Sequence, residues 1–268
     1  MSELPTIEIS APTLAVWYGS TQALSIESLR VQGRIIGLVG HNGSGKSTFL
    51  KTALKILTPR EGELTILGRN GGESYRLIPE LHMAFSPERG SIFQDISVES
   101  YIKLWCRLKC NDPKFYQRAG AKYLDCLQIH PLLHRLGREL SKGERRRVQA
   151  AVGFLINPRL FLFDEPFEGL DIEQAERVVE LLTEEAKLRS FIISSHHMQV
   201  IERLADEIIV LSNGRIAAQG SPSLVSRVLA DGTTNSTSLL DAMSYHLRNR
   251  HHNPPTSGKV LAYASGRN

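Results

Sequence analysis

The chain has 268 residues, 41% of them apolar and 22% charged, which suits one large or two small globular domains and excludes a chain that is mainly disordered. Its formal charge of +4 is modest, and in residues 231–268 Arg248, Arg250, Lys259 and Arg267 outweigh Asp231 and Asp241 by two. Half of the excess therefore reads as a solvated tail, and no nucleic-acid partner is expected.

Short β-like segments come first, at Leu14–Trp17, Leu24–Leu29 and Arg34–Val39. The run Ile35-Ile36-Gly37-Leu38-Val39 is continuously apolar, as in a strand covered on both faces. From Lys46 the residues Phe49, Leu50, Ala53, Leu54 and Leu57 form one helical stripe, with Pro59 as its stop. Glu63–Leu67 and Met83–Phe85 are strand-like. Helical patterns follow over Val98–Leu108, Pro113–Ile129 and Gly143–Ile156. Strand signals then resume at Leu160–Phe163, Phe191–Ser194 and Ile208–Leu211, alternating with helices over Ile172–Leu188 and Met198–Ala205, the order that builds a parallel sheet. A turn at Asn213-Gly214 leads to a last strand, Arg215–Ala218. No internal repeat points to two tandem cores. The polar tail beyond Asp231 is expected to be weakly ordered, with Leu239, Leu240, Met243 and Leu247 as one amphipathic helix.

No apolar run approaches the ~18–20 residues of a membrane span, and MSELPTIEIS lacks the basic-then-apolar pattern of a secretory leader. Cys106, Cys110 and Cys126 have neither metal nor redox spacing and read as free thiols. A cytosolic, reduced chain is expected, so Asn235-Ser236-Thr237 is not read as a glycosylation site.

The chemistry concentrates at Gly40-His41-Asn42-Gly43-Ser44-Gly45-Lys46-Ser47-Thr48, which fits G-x-x-x-x-G-K-[ST] between a buried strand and a helix. Glycines let the backbone curl so that its N–H groups face phosphate oxygens, and the following helix adds its positive end. Lys46 is expected to reach the β- and γ-phosphates of ATP, and the Ser47 hydroxyl to ligate Mg²⁺. Phe161-Leu162-Phe163-Asp164-Glu165-Pro166 is an apolar strand ending in two acids. Asp164 is placed to hold Mg²⁺ and Glu165 to polarise the attacking water.

With these motifs on one chain, the sequence resembles the ATPase subunits of ABC transporters from about Val16 to Gly220. Gly40–Thr48 looks like that family's Walker A, Leu160–Asp164 like its Walker B, and Glu165 like its catalytic glutamate. Leu140-Ser141-Lys142-Gly143-Glu144 resembles the signature LSGGQ, Gly169-Leu170-Asp171 the D-loop, and His196 the switch histidine. Tyr18 stands where the family stacks an aromatic on adenine, with Trp17 as a rival. The resemblance implies an α/β P-loop NTPase core, a mixed and mostly parallel sheet flanked by helices. An antiparallel β subdomain and an inserted helical subdomain at about 95–157 join it in one ATPase domain, 5–220, followed by a helix and polar tail, 221–268. It also implies that Ser141 and Gly143 face the ATP of a second ATPase subunit, and that a separate transmembrane subunit holds the pair at the cytoplasmic face of the membrane.

Two departures stand out. The signature carries Lys142 for the first glycine and Glu144 for glutamine, while Ser141 and Gly143, whose atoms meet phosphate, are kept. The family's Mg²⁺-ligating glutamine aligns with Glu88 in Phe85-Ser86-Pro87-Glu88-Arg89. Glutamate is still an oxygen ligand, with Arg89 to offset its charge. Arg145, Arg146 and Arg147 point in three directions from one helix, which suits bridging or solvation rather than nucleic acid. Phe93, Tyr101 and Trp105 are candidates for the apolar contact with the membrane subunit. A PER-type loop and an LSKG-type signature on a single core resemble exporters more than importers. A soluble ABC-type ATPase acting on a non-transport partner and a small-molecule kinase are the competing classes. The first lacks its two cores or long coiled coils, and the second would not carry the signature, D-loop and His196 together.

Overall fold

The computed structural model describes residues 5–70, 73–78, 82–110, 112 and 114–229. In chain order the strands and helices are β1 (Thr6–Ala11), β2 (Leu14–Tyr18), β3 (Thr21–Ile26), β4 (Leu29–Gly33), β5 (Ile35–Val39), α1 (Lys46–Ala53), β6 (Glu61–Gly62), β7 (Thr65–Asn70), β8 (Glu73–Arg76) and β9 (Met83–Ser86). There follow α2 (Val98–Cys110), α3 (Phe115–Ala119), α4 (Ala121–Cys126), α5 (Lys142–Leu155), β10 (Leu160–Asp164), α6 (Ile172–Glu185), β11 (Ser190–Ser195), α7 (Met198–Leu204), β12 (Glu207–Ser212), β13 (Arg215–Gly220) and α8 (Pro222–Leu229). The chain divides into two compact units, Glu8–Thr65 with His196–Asn268, and Met1–Ile7 with Ile66–Ser195.

In the unit Glu8–Thr65 with His196–Asn268, β5 pairs in parallel with β12, and β12 pairs antiparallel with β13. All five residues of β5 are buried, as its unbroken apolar run requires. Asp206 fixes the start of this strand: its Oδ2 accepts the Arg34 and Ile35 N–H groups at 2.8 and 3.0 Å. Asn213 and Gly214 both have positive φ, 49° and 73°, the two-residue hairpin geometry that an Asn-Gly pair favours. A separate antiparallel sheet is built from β3, β2 and β6, with a bulge between Val16 and Trp17.

In the unit Met1–Ile7 with Ile66–Ser195, β9, β10 and β11 form a parallel sheet in which β10 and β11 are buried throughout. Helix α5 lays Phe154 against this sheet, 5.1 Å from Phe161 and 5.7 Å from Phe163. Tyr123 of α4 stacks on Phe154 at 5.0 Å. A buried ion pair, Glu185 with Arg189 at 2.8 Å, closes the same core. Among the described residues no helix is long and apolar enough to cross a membrane.

Several expected boundaries moved. The helix anticipated over Pro113–Ile129 is two short helices meeting at Gly120, and Pro113 lies outside the described residues. A Cβ at Gly120 would sit 2.4 Å from the Tyr116 carbonyl and 2.5 Å from Leu155, so tight packing against the end of α5 decides the break. The strand anticipated over Leu24–Leu29 is two strands, β3 and β4. Helix α1 ends at Ala53 because Lys55 turns the chain at φ 58°, which leaves Leu57 outside the stripe. Of the thiols, Cys106 is buried while Cys110 is only half-buried. Burial pushes the Cys106 thiol up to about 11, so it stays protonated at neutral pH. The amphipathic helix anticipated at Leu239–Leu247 lies outside the described residues.

Candidate nucleotide-binding site

The loop Gly40–Thr48 runs from β5 into α1, in the unit that also carries Tyr18 and His196. It is braced from behind. The Gly214 N–H donates to the Ser44 carbonyl at 3.0 Å, the Ser25 N–H donates to the Gly214 carbonyl at 2.8 Å, and Ser44 N–H closes on His41 O at 3.1 Å. A Cβ at Gly40 would fall 2.4 Å from the Leu211 carbonyl, and Gly45 caps α1 at φ 109° with Leu24 2.6 Å from where its Cβ would be. Both positions therefore demand glycine. Gly43, at the tip, has open space around it.

Lys46 is 6% exposed, and its Nζ donates to the carbonyls of Gly40 at 2.8 Å and His41 at 3.3 Å. The ammonium is thus folded back over its own loop. Ser44 is 1% exposed, and its hydroxyl has no hydrogen-bond partner among the described residues. Buried polar groups are nearly always satisfied, so an orphaned hydroxyl in a glycine-rich loop fits an anionic ligand. Ser47 is half-buried and Thr48 buried, while His41 and Asn42 are exposed.

Tyr18 is 46% exposed at the end of β2. Its rival Trp17 carries the Arg60 guanidinium 5.2 Å from its ring centre, and Arg60 also donates to the Gly19 carbonyl at 2.6 Å. Tyr18 is therefore the ring left more open to a base. His196 is exposed, with its ring 4.3 Å from that of His197.

The other unit holds Asp164, Glu165, Glu88, Ser141, Gly143 and Asp171. Asp164 ends β10, 6% exposed, and accepts the Ser194 hydroxyl at 2.5 Å. The next residue, Glu165, is 4% exposed and has φ 54°. A non-glycine residue held left-handed costs of order 1–3 kcal/mol and persists where its surroundings over-determine it. Here Ser194 supplies the constraint, since the Glu165 N–H donates to both its carbonyl and its hydroxyl oxygen at 3.1 Å. Ser194 is a supporting residue that no spacing in the sequence marks.

Beyond Glu165 the chain turns tightly. The Glu168 N–H donates back to the Glu165 carbonyl at 3.3 Å, and Asp171 caps α6 by accepting the Gln174 N–H at 2.8 Å. Ser141 caps α5 in a reciprocal box: its hydroxyl accepts the Glu144 N–H at 3.2 Å and the Glu144 carboxylate accepts the Ser141 N–H at 2.7 Å. Arg135 holds the same carboxylate at 2.7 Å. Partial burial pushes the Glu144 carboxyl up, but the Ser141 hydrogen bonds and Arg135 outweigh it and leave the group below the usual carboxylate range. Glutamate in place of the expected glutamine is thus accommodated by a cation of this chain. Gly143, two residues past the Ser141 cap, has open space beside it.

Glu88 is half-buried just beyond β9, and Arg146 of α5 donates its Nε to the Glu88 carbonyl. Arg147 turns instead to Gln128, donating to its Oε1 at 2.8 Å. Of the residues read as metal ligands, Asp164 and Glu88 lie in this unit and Ser47 in the other, and each offers oxygen, the donor type suited to a hard cation such as Mg²⁺.

A family model described as ABC transporter matches residues 27–168, and a model of an AAA domain, described as a putative AbiEii toxin of a type IV toxin–antitoxin system, matches residues 137–202. A sulfate/thiosulfate import ATP-binding protein of Mesostigma viride is 33% identical over 76% of this chain and 59% of its own length. An uncharacterized ABC transporter ATP-binding protein of Methanocaldococcus jannaschii is 28% identical, over 83% of this chain and 81% of its own. Human ATP-binding cassette sub-family A member 2 is 26% identical over 87% of this chain, which spans only 10% of that relative's length. The structure of an ATP-binding subunit of an ABC transporter superposes with a TM-score of 0.76 at 25% identity, over 90% of this chain and 99% of that one. The phosphate loop, the acidic strand end and the family match over more than half of its residues agree: the chain belongs to the ABC transporter family, with the P-loop fold of that family's ATP-binding subunits.

Proposed function

We propose that this chain is the ATP-hydrolysing subunit of an ABC transporter, with one ATPase domain over 5–220 that includes a helical subdomain at about 95–157. The observation that carries the hydrolytic part is Glu165, buried, held left-handed by Ser194 and directly following Asp164. In this reading the loop amides of Gly40–Thr48 cradle the phosphates, with Tyr18 against the adenine. Lys46 exchanges the Gly40 and His41 carbonyls for the β- and γ-phosphates. Ser47, Asp164 and Glu88 would hold Mg²⁺, whose charge would offset the negative charge of the phosphates. Glu165 takes a proton from the attacking water, and His196 orients that water against the γ-phosphate.

Ser141 and Gly143 are the donors this chain offers to the ATP of a second ATPase subunit, with Asp171 beside that junction, so the working unit is a dimer. A separate membrane protein would hold the dimer at the cytoplasmic face. Of the three aromatics read as its contact, Phe93 is 57% exposed and supports such docking, whereas Tyr101, which it meets edge-on at 5.8 Å, is buried at 6% and packs on Trp105 at 6.3 Å as part of the core. The names of relatives include an importer and a phospholipid-transporting ATPase, so the direction rests on the residues. The Pro87-Glu88-Arg89 loop and the Leu140-Ser141-Lys142-Gly143 signature favour export.

Two experiments test this. Turnover per chain should rise with protein concentration, because each site needs two chains; a rate per chain that is flat on dilution overturns the dimer. Purification from detergent extracts should bring down a membrane protein in stoichiometric amount, and a chain that purifies alone and binds nucleic acid overturns the transporter.

A further inference from the structure

We propose that Arg146 is a positioning residue that fastens the Glu88 loop and the Glu165–Asp171 turn to the helix headed by Ser141, so that the three segments shift as one piece. The proposal deepens the hydrolytic reading above and rests on it for its effect on turnover.

Arg146 lies in the second turn of α5. Two different edges of its planar guanidinium serve two separate stretches of chain. Its Nε donates to the Glu88 carbonyl, and its Nη1 donates to the Glu168 carbonyl at 2.9 Å. Glu168 is the residue whose N–H closes the turn onto Glu165, and it precedes Gly169, at φ 75°, and the Asp171 cap. The grip on Glu168 is therefore a grip on the turn that begins at the proposed base.

The Glu88 side of the clamp is reinforced. A Cβ at Gly90 would stand 2.9 Å from the Arg146 amide nitrogen and 3.0 Å from the Arg145 carbonyl carbon, so the loop backbone lies directly on the helix backbone. Gln149, one turn further on, donates to the Ser91 carbonyl at 2.9 Å. On the Glu168 side the hold from α5 is the Arg146 guanidinium. A planar fork with several fixed donors can hold two carbonyls at once, whereas one ammonium cannot span both in the same geometry. A displacement of the α5 N-terminus, where Ser141 would meet the second nucleotide, is then passed to Glu88 and Glu165 together.

The test is hydrogen exchange on the full chain without nucleotide, followed by steady-state kinetics. Arg146→Gln should raise exchange in residues 86–91 and 166–170 together by about fivefold, the effect of losing one hydrogen bond in each. Gln149→Ala should raise it in 86–91 alone. Melting temperature and the amides of α5 and β10 should stay as in the parent chain. In turnover, Arg146→Gln should lower kcat by about tenfold with KM for ATP within about twofold, since a displaced base costs chemistry rather than binding. Exchange that rises in one segment only, exchange that rises throughout α5 and β10, or an unchanged kcat overturns the proposal. If the parent chain binds ATP but shows no turnover at any concentration, while both segments still respond together, the clamp stands and the hydrolytic reading fails.

Discussion

Removing the Glu185 carboxylate should be the most damaging single change in the unit Met1–Ile7 with Ile66–Ser195. The group is fully buried and takes three partners: Arg189 at 2.8 Å, Lys122 at 2.5 Å and the Tyr123 hydroxyl at 3.2 Å. In Glu185→Ala, Lys122 is 42% exposed and returns to water at little cost. Arg189 has no such exit. Its side chain is 3% exposed, tied to the Asn157 Oδ1 at 3.0 Å and packed 6.0 Å over the Phe154 ring. Leaving one charge of a buried pair uncompensated costs about 3–5 kcal/mol. The double replacement Glu185→Met with Arg189→Leu removes both charges and should cost less than Glu185→Ala alone, because the attraction between the two only offsets their loss of water. Urea unfolding followed by far-UV circular dichroism gives the free energies of the parent chain, Glu185→Ala, the double replacement and its two single components, Glu185→Met and Arg189→Leu. The reasoning is refuted if Glu185→Ala costs under about 1 kcal/mol, or if the double replacement is as costly as the sum of its parts.

Gly153→Ala on α5 should also destabilise, since its Cβ would come 2.1 Å from the Phe161 ring, which is itself hemmed in by Phe154, Phe163 and Phe191; thermal melting should report a loss of about 1–3 kcal/mol from overpacking. Glu144 carries a depressed pKa, so its contribution to stability is full above the unfolded value of about 4.3 and is lost as pH falls through the lower, folded value. Stability against pH for Glu144→Gln should accordingly show a shallower acid-side decline than the parent chain. With Arg135 39% exposed, the difference near neutrality should stay within about 1 kcal/mol.

Much of this fold could be read from local pattern. The five apolar residues of β5 and the four that open β10 point to buried strands, and Asn213-Gly214 points to a hairpin whose two residues do adopt positive φ. What was lost was decided by contacts between distant segments. The helical pattern runs on through Gly120, where the Tyr116 carbonyl and Leu155 stand too close for any side chain. Strand β1 alternates Ile7, Ile9 and Ala11 with Glu8 and Ser10, the pattern of a strand with one polar face, yet Glu8 is buried as well, 3.2 Å from Arg30. The site divides the same way. The phosphate loop and the Asp164-Glu165 pair are contiguous motifs and stand out in one dimension. Ser194 beside Glu165, Arg135 beside Glu144 and Arg146 across Glu88 and Glu168 are pairings in space, with no spacing to announce them.

The most direct test of the hydrolytic account is the Glu165→Gln variant, assayed in parallel for retained nucleotide and for phosphate release. Glutamine keeps the shape and the left-handed backbone held by Ser194 but cannot take a proton from water. The account predicts that this variant binds ATP as the parent does, accumulates as an ATP-bound dimer on size-exclusion chromatography, and releases phosphate at least about a hundredfold more slowly. Phosphate release at the parent rate would remove Glu165 from catalysis and contradict the account.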